Sequence, residues 1–321
     1  MNSIDLAVII VNFNTASLLK ECLNSVEENR GNLKLEIFVV DNNSRDQSVE
    51  MIKKDFPQIK LMVNSENIGF ARGVNLGLAL AKGRYFLLLN PDVKVLTGVL
   101  KGMIEFMEQN KDAGLAGVQL LNSDGTKQNS MANFPSLSQE LLNKSLLRIL
   151  FPEKYPSKYQ EYKSPIEVDS VIGACMIVRP EAVKEVGELD PGYFLFLEET
   201  DWCFQMKKKG WKIFHIPQLK IYHKQGQSLL DLKSKGRIEY YRSYYRFFKK
   251  NYSRISYIIL KIIHFIKTMI NIGLNLIASI LTLGLKKGYR EKFLIYSHLF
   301  LWQILGCPGR DIEKYGSFFK I

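Results

Sequence analysis

The chain has 321 residues, 46% of them hydrophobic, and a formal net charge of +12. This length can bury a sizeable core as one large domain or as two. Its four cysteines have no CxxC spacing, which argues against a zinc site or a disulfide framework. The N-terminus enters an apolar strand pattern at Leu6 without a basic n-region or a cleavage site, so we expect no secretory signal and a cytoplasmic location.

The first 122 residues alternate strand and helix patterns. Strands are predicted at Leu6–Asn12, Leu35–Val40, Lys60–Val63, Tyr85–Leu89 and near Leu115–Leu121. Helices are predicted after Thr15, which can cap the first of them, and over about Gln47–Phe56, Phe70–Lys82 and Gly98–Gln109. Alternation of this kind predicts βαβ units and an α/β fold with a mostly parallel sheet and flanking helices.

Turn signals and four prolines interrupt this pattern between Ser123 and Pro165, which indicates an insertion that shapes a substrate site. Regular pattern returns over Val168–Val178 and continues with a short helix after Pro180. Two further short strands are predicted at Trp211–Ile216 and Leu219–Tyr222.

The positive charge is concentrated in one segment. Between Lys207 and Lys250, 13 Lys and Arg residues stand against Asp231 and Glu239, a local excess of 11. Basic segments bind nucleic acid or anionic membranes. Because this one leads directly into a long apolar segment, we expect an anionic membrane surface as the partner and no nucleic acid.

The apolar segment is amphipathic. The 18 residues Thr268–Leu285 carry no formal charge, but polar residues recur around them in steps of three or four. Three interpretations remain open: a helix lying in the membrane interface, a bundle or homodimer helix, and a membrane span. We favour the first, with Phe293–Leu305 as the second arm of a helical hairpin.

Polar residues end two of the predicted strands. Asn90-Pro91-Asp92 closes the apolar run Tyr85–Leu89, and Asp41 closes the second strand. Ligands of open α/β sheets bind at this carboxyl edge, where Asp92 suits a divalent cation and Asp41 suits a nucleobase or a ribose hydroxyl. The alternative is that both motifs are turns capped by their own side chains.

Three further features are candidates for the same site. Gly69 and Gly73 open a helix where exposed amides and Arg72 suit a phosphate, although neither a P-loop nor a GxGxxG pattern is present. Glu198, Glu199 and Asp201 crowd three carboxylates into four residues, which suits a general base or a charged helix start. His223 follows a predicted strand and is either structural or a metal ligand.

Seven motifs in order resemble those of family-2 glycosyltransferases, in particular the branch that uses dTDP-L-rhamnose. They are VIIVNFN (8–14), VVDNNS (39–44), NIGFARGVNLG (67–77), LLLNPDV (87–93), VIGACMIVRP (171–180), FLEETDWC (196–203) and IYHKQG (221–226). The resemblance covers roughly residues 5–230. It implies the GT-A fold, in which a nucleotide-binding half and an acceptor half share one sheet.

The resemblance also implies roles for individual residues. Asp92 and His223 would bind Mg²⁺ or Mn²⁺, and Glu199 would be the catalytic base, with Glu198 as the alternative. The remaining candidates would contact the substrates: Val11, Asn12, Asn14, Asp41, Asn43, Asn67, Arg72, Asn90, Glu198 and Asp201. Asn90 stands where the family's metal motif has an aspartate, so we expect it to contact ribose or sugar.

The implied reaction is inverting transfer of L-rhamnose from dTDP-L-rhamnose to a lipid-linked saccharide acceptor, in synthesis of a bacterial surface polysaccharide or O-antigen. The alternatives are a UDP-hexose or UDP-N-acetylhexosamine donor, and a non-catalytic protein that binds nucleotide sugar or nucleic acid. The expected division is 1–122 for the donor half, 123–230 for the acceptor half, and 231–321 for a basic helical region at the inner face of the cell membrane.

Overall fold

The computed structural model describes residues 4–142, 147, 149–152, 155, 160–224 and 233–309. The chain divides into two compact units. The first unit is Met1–Phe134 with Phe151–Ser228, and the second is Pro135–Leu150 with Leu229–Ile321. Part of the predicted insertion therefore groups with the C-terminal helices.

The strands lie in the first unit. Within the described residues they are β1 (Leu6–Asn12), β2 (Leu35–Asp41), β3 (Lys60–Val63), β4 (Tyr85–Leu89), β5 (Val93–Val95), β6 (Ala113–Leu121), β7 (Met131–Ala132), β8 (Ile166–Glu167), β9 (Ser170–Val171), β10 (Cys175–Val178) and β11 (Lys212–His223). One sheet has the order β3-β2-β1-β4-β10-β6-β11-β5, with β8 paired to β11, and β7 pairs with β9.

Helices occur in both units. In the first unit they are α1 (Ala16–Glu28), α2 (Ser48–Asp55), α3 (Phe70–Leu78), α4 (Val99–Gln109), α6 (Pro180–Val186) and α7 (Glu198–Lys208). In the second unit they are α5 (Leu137–Leu141), α8 (Lys233–Asn251), α9 (Arg254–Leu281) and α10 (Lys287–Ile304).

The sheet confirms the predicted α/β class. Strands β3, β2, β1 and β4 are parallel, and Asn12 at the end of β1 is aligned with Asp41 at the end of β2. Beyond β4 the directions are mixed, since β10 is antiparallel to both β4 and β6. The parallel half brings the carboxyl ends of its strands to one edge, as βαβ units require.

Three local predictions differ from the structure. β11 is one strand and not two, because the chain passes Pro217 at an irregularity where the register shifts between Ile216 and Lys220. The stretch predicted over Val168–Val178 is broken into β9 and β10 around Gly173. At the start of α1 the Thr15 side chain makes no cap hydrogen bond.

The core of the first unit surrounds the central strands. β1, β4 and β6 are buried along their whole length, because helices cover both faces of a sheet of this class. Helices α1 and α4 bury one apolar stripe each, and each large apolar side chain contributes about 1.5–3 kcal/mol on burial. These helices hold the strand ends, and hence the site, in place.

Helix α3 packs against β1 at unusually short distance. A Cβ on Gly73 would lie 2.9 Å from Val11 Cγ1, and a Cβ on Gly77 would lie 2.5 Å from Ile9 Cγ2. Glycine at both positions lets the helix axis approach the strand. The close packing fixes the start of α3 beside the carboxyl ends of β1 and β2.

The second unit is helical, as predicted. Helix α9 has 28 residues and is about 42 Å long at 1.5 Å per residue. Among the described residues it is the one helix long and apolar enough to cross a membrane by length and composition, and 17% of its most apolar window is buried.

A buried polar cluster holds α5 on the long helices of this unit. Glu140 Oε2 accepts a hydrogen bond from Lys267 Nζ at 2.5 Å and lies 3.3 Å from His264 Nε2, while Oε1 accepts one from the Tyr244 hydroxyl at 2.9 Å. Burial raises the pKa of Glu140, but the hydrogen bonds from His264 and Lys267 outweigh it and lower the pKa to about 2.

Candidate active site

The turn after β4 is fixed by hydrogen bonds of the backbone. Asn90 N donates to Ala174 O at 2.9 Å, and Asn90 O accepts from Val93 N at 3.4 Å across the turn. The Asn90 side chain is half-buried, whereas Asp92 is 9% exposed. Asp92 thus ends the turn with its carboxylate turned into the protein, at the strand edge predicted for it.

Asp92 meets His223 across the sheet. Its Oδ1 lies 3.3 Å from His223 Nε2, and both side chains are more than nine-tenths buried. Strand β11 brings His223 there by pairing antiparallel with β5, in which His223 is aligned with Val93. Asp92 Oδ1 is nevertheless a buried acceptor without a hydrogen-bond partner.

Gln128 determines which nitrogen of a neutral His223 ring carries the proton. Its Nε2 donates to Asn122 Oδ1 at 2.7 Å and to His223 O at 2.6 Å, so its Oε1 is the atom that faces His223 Nδ1 at 2.9 Å. An amide oxygen only accepts, which assigns the proton of the neutral imidazole to Nδ1. Nε2 then presents a lone pair to Asp92.

Two acceptor atoms facing each other at 3.3 Å require a cation between or beside them. A proton on the imidazole or a divalent metal ion would satisfy both atoms. Among the described residues no group of three or more His, Cys, Asp and Glu side chains is placed to hold a metal. A metal here would therefore need oxygen ligands from a substrate, as is usual for Mg²⁺ with phosphates.

A small cavity opens beside Asp92. Its volume is about 260 Å³, below the roughly 300–1,000 Å³ of typical small-molecule sites. The cavity is lined by Leu18, Glu21, Asp92, Val93, Lys94, Ser123, Tyr222 and Lys224. It is therefore large enough for only part of a nucleotide sugar.

The ends of β1 and β2 form one hydrogen-bonded loop. Asn12 Nδ2 donates to Asp41 Oδ2 at 2.7 Å, and the Asp41 carboxylate also accepts from the amide and the hydroxyl of Ser44. The Thr15 hydroxyl donates to Asn12 Oδ1 at 2.6 Å, which is why it does not cap α1. Asp46 Oδ2 accepts from the first helical amide, Ala16 N, instead.

The side chains of Asn12 and Asp41 have no exposed surface, so in this structure they order the loop. The loop exposes Asn14 and Asn43, both with positive φ, a backbone conformation that asparagine tolerates better than most residues. Val11 is buried beneath α3. Direct contact of these residues with substrate stays a prediction.

The segment before α3 is tied to the loop and to residues 189–194. Asn67 Oδ1 accepts from Gly69 N at 3.0 Å and from Asn42 Nδ2 at 3.3 Å. Gly69 has φ +87°, and Phe70 N donates to Phe194 O at 2.7 Å. Arg72 is exposed, and its Nε donates to Pro191 O at 3.1 Å. Both Gly69 and Gly73 lie close to protein atoms, and binding of a phosphate at this helix start stays a prediction.

The acidic cluster begins α7 at a strained turn. Phe196 and Leu197 have φ of +70° and +65°, which is costly for residues with large side chains. Glu198 and Asp201 are buried, and Asp201 N donates to Leu197 O at 2.8 Å. The turn directs the first residues of the helix inward, which the sequence did not predict.

Glu199 has the environment of a general base. Its Oε2 is buried without a hydrogen-bond partner, and its Cγ lies 3.5 Å from the position a Cβ on Gly173 would take. Burial raises the pKa of Glu199, while the backbone amides of Glu199 itself, Thr200 and Gly173 oppose the rise. A carboxylate with a raised pKa accepts a proton more readily than an ordinary glutamate.

One short segment connects the two acidic centres. Ala174 O accepts from Asn90 N, and the adjacent Gly173 packs against Glu199. The break between β9 and β10 thus lies between the turn of Asp92 and the start of α7 and contacts both. The sequence analysis predicted a role for neither Gly173 nor Gln128. Gly173 could have been found, because a glycine within a strand pattern often marks a close approach of another group.

Comparison with known proteins identifies the family. Residues 7–187, more than half of the chain, match the model of Glycosyl transferase family 2. The chain belongs to glycosyl transferase family 2. It is therefore a glycosyltransferase, as predicted.

Two named relatives are rhamnosyltransferases. This glycosyltransferase is 25% identical over 207 residues to the N-acetylglucosaminyl-diphospho-decaprenol L-rhamnosyltransferase of Mycobacterium tuberculosis, covering 60% of this chain and 67% of that protein. It is 24% identical over 193 residues to the dTDP-rhamnosyl transferase RfbF of Shigella flexneri, covering 59% of this chain and 60% of that protein.

A solved structure supports the fold. The mannosyltransferase PcManGT of Pyrobaculum calidifontis, in complex with GDP-Man and Mn²⁺, matches this glycosyltransferase with a TM-score of 0.56 at 14% identity, covering 94% of this chain and 88% of that one. The likeness bears on the fold alone. Together with the family it confirms the predicted GT-A class.

Proposed function

We propose that this glycosyltransferase transfers L-rhamnose from dTDP-L-rhamnose, with inversion, to a saccharide acceptor carried on a lipid diphosphate. The printed names of two relatives, a dTDP-rhamnosyl transferase and a rhamnosyltransferase named for a decaprenol-linked diphosphate, support the donor and the acceptor class. The product would be a bacterial surface polysaccharide or O-antigen.

A single observation carries the catalytic part of the proposal: buried Asp92 Oδ1 has no hydrogen-bond partner and lies 3.3 Å from His223 Nε2, while Gln128 Oε1 faces the other ring nitrogen, Nδ1. A carboxylate oxygen and an imidazole nitrogen fit a divalent metal ion. Asp92 and His223 would hold Mg²⁺ or Mn²⁺ together with the donor's diphosphate. A cation bound there neutralises the charge that develops on the departing nucleoside diphosphate.

Glu199 is the proposed base. It would take the proton from the acceptor hydroxyl while the hydroxyl oxygen attacks the anomeric carbon from the face opposite the diphosphate. Its buried, unpaired Oε2 and raised pKa support this role. Glu198 and Asp201 are the proposed contacts of the sugar acceptor, and Asn90 that of the donor sugar or ribose.

The proposed nucleoside end lies at β1 and β2. Exposed Asn14 and Asn43 are its candidate contacts, on a loop that Asn12 and Asp41 hold together. Asn67 and Arg72 complete the proposed donor contacts, and Val11 supports them from below. We assign donor binding to residues 1–122, acceptor binding and the base to 123–230, and membrane association at the inner face of the cell membrane to 231–321.

A donor panel tests the sugar assignment. Thermal unfolding of the full-length protein is followed with Mg²⁺ and, in turn, dTDP-L-rhamnose, dTDP-glucose, UDP-glucose, UDP-galactose and UDP-N-acetylglucosamine. Because a ligand that binds the folded state raises Tm, dTDP-L-rhamnose should give the largest shift. The opposite result is a larger Tm shift with a UDP-sugar, together with release of nucleotide from that UDP-sugar and not from dTDP-L-rhamnose. It would make the enzyme a UDP-sugar transferase and overturn the rhamnosyl assignment.

A further inference from the structure

Helix α9 exposes an apolar face along its whole length. The exposed large hydrophobic side chains between the start of α9 and the turn that follows it are Ile255, Ile258, Ile259, Ile262, Phe265, Ile266, Met269, Ile270, Leu274, Leu276, Ile277, Ile280, Leu281, Leu283 and Leu285. We call these residues the α9 face. Contiguous apolar surface of this extent marks an interaction site and is not a feature of an ordinary solvated helix.

The polar side of α9 is turned inward. His264, Thr268 and Asn275 are buried, and the polar side chains bond to carbonyls one turn earlier. Thr268 Oγ1 donates to His264 O at 2.8 Å, and Asn275 Nδ2 donates to Asn271 O at 2.7 Å. Because these polar groups are hydrogen-bonded within the helix, the polar side of α9 can be buried without water. The apolar side is then the exposed one.

The charge beside the α9 face has one sign. From Ser253 to Arg290 the sequence contains no Asp or Glu, and its charged residues are Arg254, Lys261, Lys267, Lys286, Lys287 and Arg290. Among the described residues, the most exposed leucines lie in the turn between α9 and α10, Leu283 at 86% and Leu285 at 85%, directly before two lysines. An apolar tip followed by cations matches the acyl and headgroup layers of an anionic bilayer.

We propose that the α9 face and its leucine turn insert into the interfacial layer of an anionic lipid bilayer, with the helix lying along the surface. A spanning helix fits less well, because the 18 residues Thr268–Leu285 are near the lower limit for a span and contain the polar side chains of Asn271 and Asn275. A second copy fits less well, because two such faces would oppose cations to cations. The proposal concerns the helical unit and is independent of the sugar donor.

Vesicle binding of full-length protein tests this surface. The variant carries Leu283→Ser and Leu285→Ser, and a matched control carries Val63→Ser and Leu80→Ser, two exposed apolar side chains of the first unit. Flotation is measured with phosphatidylcholine vesicles with and without about one-third phosphatidylglycerol. Wild type and control should bind the anionic vesicles more tightly, and the leucine variant at least about tenfold more weakly, since each inserted leucine contributes through its apolar area.

Two results would overturn the proposal. One is equal vesicle affinity of the leucine variant and the control, with unchanged circular dichroism in both. The other is that neither protein binds vesicles, while sedimentation shows a dimer for wild type and a monomer for the leucine variant. That result would make the α9 face a protein interface. Loss of anionic-vesicle binding at high salt would support the proposal, because salt screens headgroup attraction.

A second, independent inference concerns Gln128. We infer that Gln128 is a positioning residue that holds His223 in the Nδ1-protonated tautomer, so that Nε2 is free to bind a cation beside Asp92. The two hydrogen bonds between Gln128 and His223, together with its bond to Asn122, fix both the amide and the ring. Partners of this kind set the orientation and basicity of metal-binding histidines. The inference rests on the proposed metal site.

Gln128→Leu removes the acceptor at nearly constant volume, and exposed Gln58→Leu is the matched control. In ¹⁵N spectra, His223 should be the Nδ1–H tautomer in wild type and a tautomer mixture in Gln128→Leu. Mn²⁺ affinity in the presence of dTDP should fall about 10–100-fold in Gln128→Leu alone. Unchanged tautomer and Mn²⁺ affinity in a folded Gln128→Leu would overturn the inference. Absence of Mn²⁺ binding in wild type, with the Nδ1–H tautomer present, would instead refute the proposed metal site.

Discussion

Asp92 Oδ1 and Glu199 Oε2 share an unusual property: each is a buried acceptor without a hydrogen-bond partner. Most buried polar atoms are bonded, and an unpaired one costs about 1–3 kcal/mol. This cost is understandable where a ligand completes the bonding, namely a cation at Asp92 and an acceptor hydroxyl at Glu199. The same property occurs outside the proposed site, at His215 Nδ1 and Gln303 Oε1. The positions of Asp92 at the strand edge and Glu199 at the helix start therefore link the property to the two chemical tasks of the proposed reaction.

At Glu199 the amide substitution separates binding from chemistry. Glu199→Gln keeps the shape of the side chain but removes its capacity to take a proton, so transfer should fall by at least about 100-fold, the lower end of the contribution of a general base. Donor-induced stabilisation should remain. Exposed Glu181→Gln, in the first turn of α6, is the control and should transfer like wild type. Unchanged transfer by Glu199→Gln would remove this residue from the mechanism.

The raised pKa of Glu199 predicts a pH dependence. Only the deprotonated carboxylate can act as base, and burial moves its pKa above that of an ordinary glutamate. As the pH falls, kcat/KM should therefore decline through a pKa above the usual glutamate value, while the protein is still folded. If kcat/KM instead declined with a pKa at or below that of an ordinary glutamate, the result would contradict the burial of this carboxylate in the free enzyme.

At the scale of elements, the strand–helix alternation was readable because buried parallel strands are continuous apolar runs. β1, β3 and β4 have the predicted bounds. The later strands were harder, because their breaks depend on neighbours: Gly173 interrupts a strand pattern where it meets Glu199, and Pro217 is accommodated within β11 by a register shift. Neither contact is visible in local sequence.

Two glycines at helix starts test how tightly the start of α3 is constrained. Gly69 and Gly98 precede α3 and α4 and have φ of +87° and +80°, but a Cβ on Gly69 would lie 2.6 Å from Phe194 Cδ2, whereas nothing lies within 4 Å of one on Gly98. Gly98→Ala should lower the free energy of unfolding by about 1–2 kcal/mol through backbone strain alone. Gly69→Ala should cost about 1–3 kcal/mol more, because the ψ of 175° at Gly69 is a conformation essentially limited to glycine and because the new Cβ would overlap Phe194.

Urea unfolding of both variants measures this difference. Loss of donor-induced stabilisation in Gly69→Ala, but not in Gly98→Ala, is also expected, because Phe194 lies between the start of α3 and the turn before Glu198. Equal unfolding free energies would show that Phe194 moves away without cost and that the packing is loose.

At the scale of the whole molecule, sequence patterns supplied the residues of the proposed site but not their partners. Asp92 and His223 were predicted as metal ligands from motifs, whereas Gln128 lies 95 residues from His223 and carries no motif. In the second unit the spacing of polar residues predicted an amphipathic helix. It could not predict that the polar stripe is buried and the apolar stripe exposed, since this depends on which side packs against other helices.

The central claim is that Asp92 and His223 bind a divalent cation with the diphosphate of the donor. Titration of Mn²⁺ into full-length protein with dTDP, followed by the electron paramagnetic resonance of free Mn²⁺, tests it most directly. Wild type and the exposed-site control Asp112→Asn should bind a single Mn²⁺, and Asp92→Asn should bind it at least about 100-fold more weakly, since a metal–carboxylate bond is worth several kcal/mol. Equal Mn²⁺ affinity of Asp92→Asn and wild type would contradict the account.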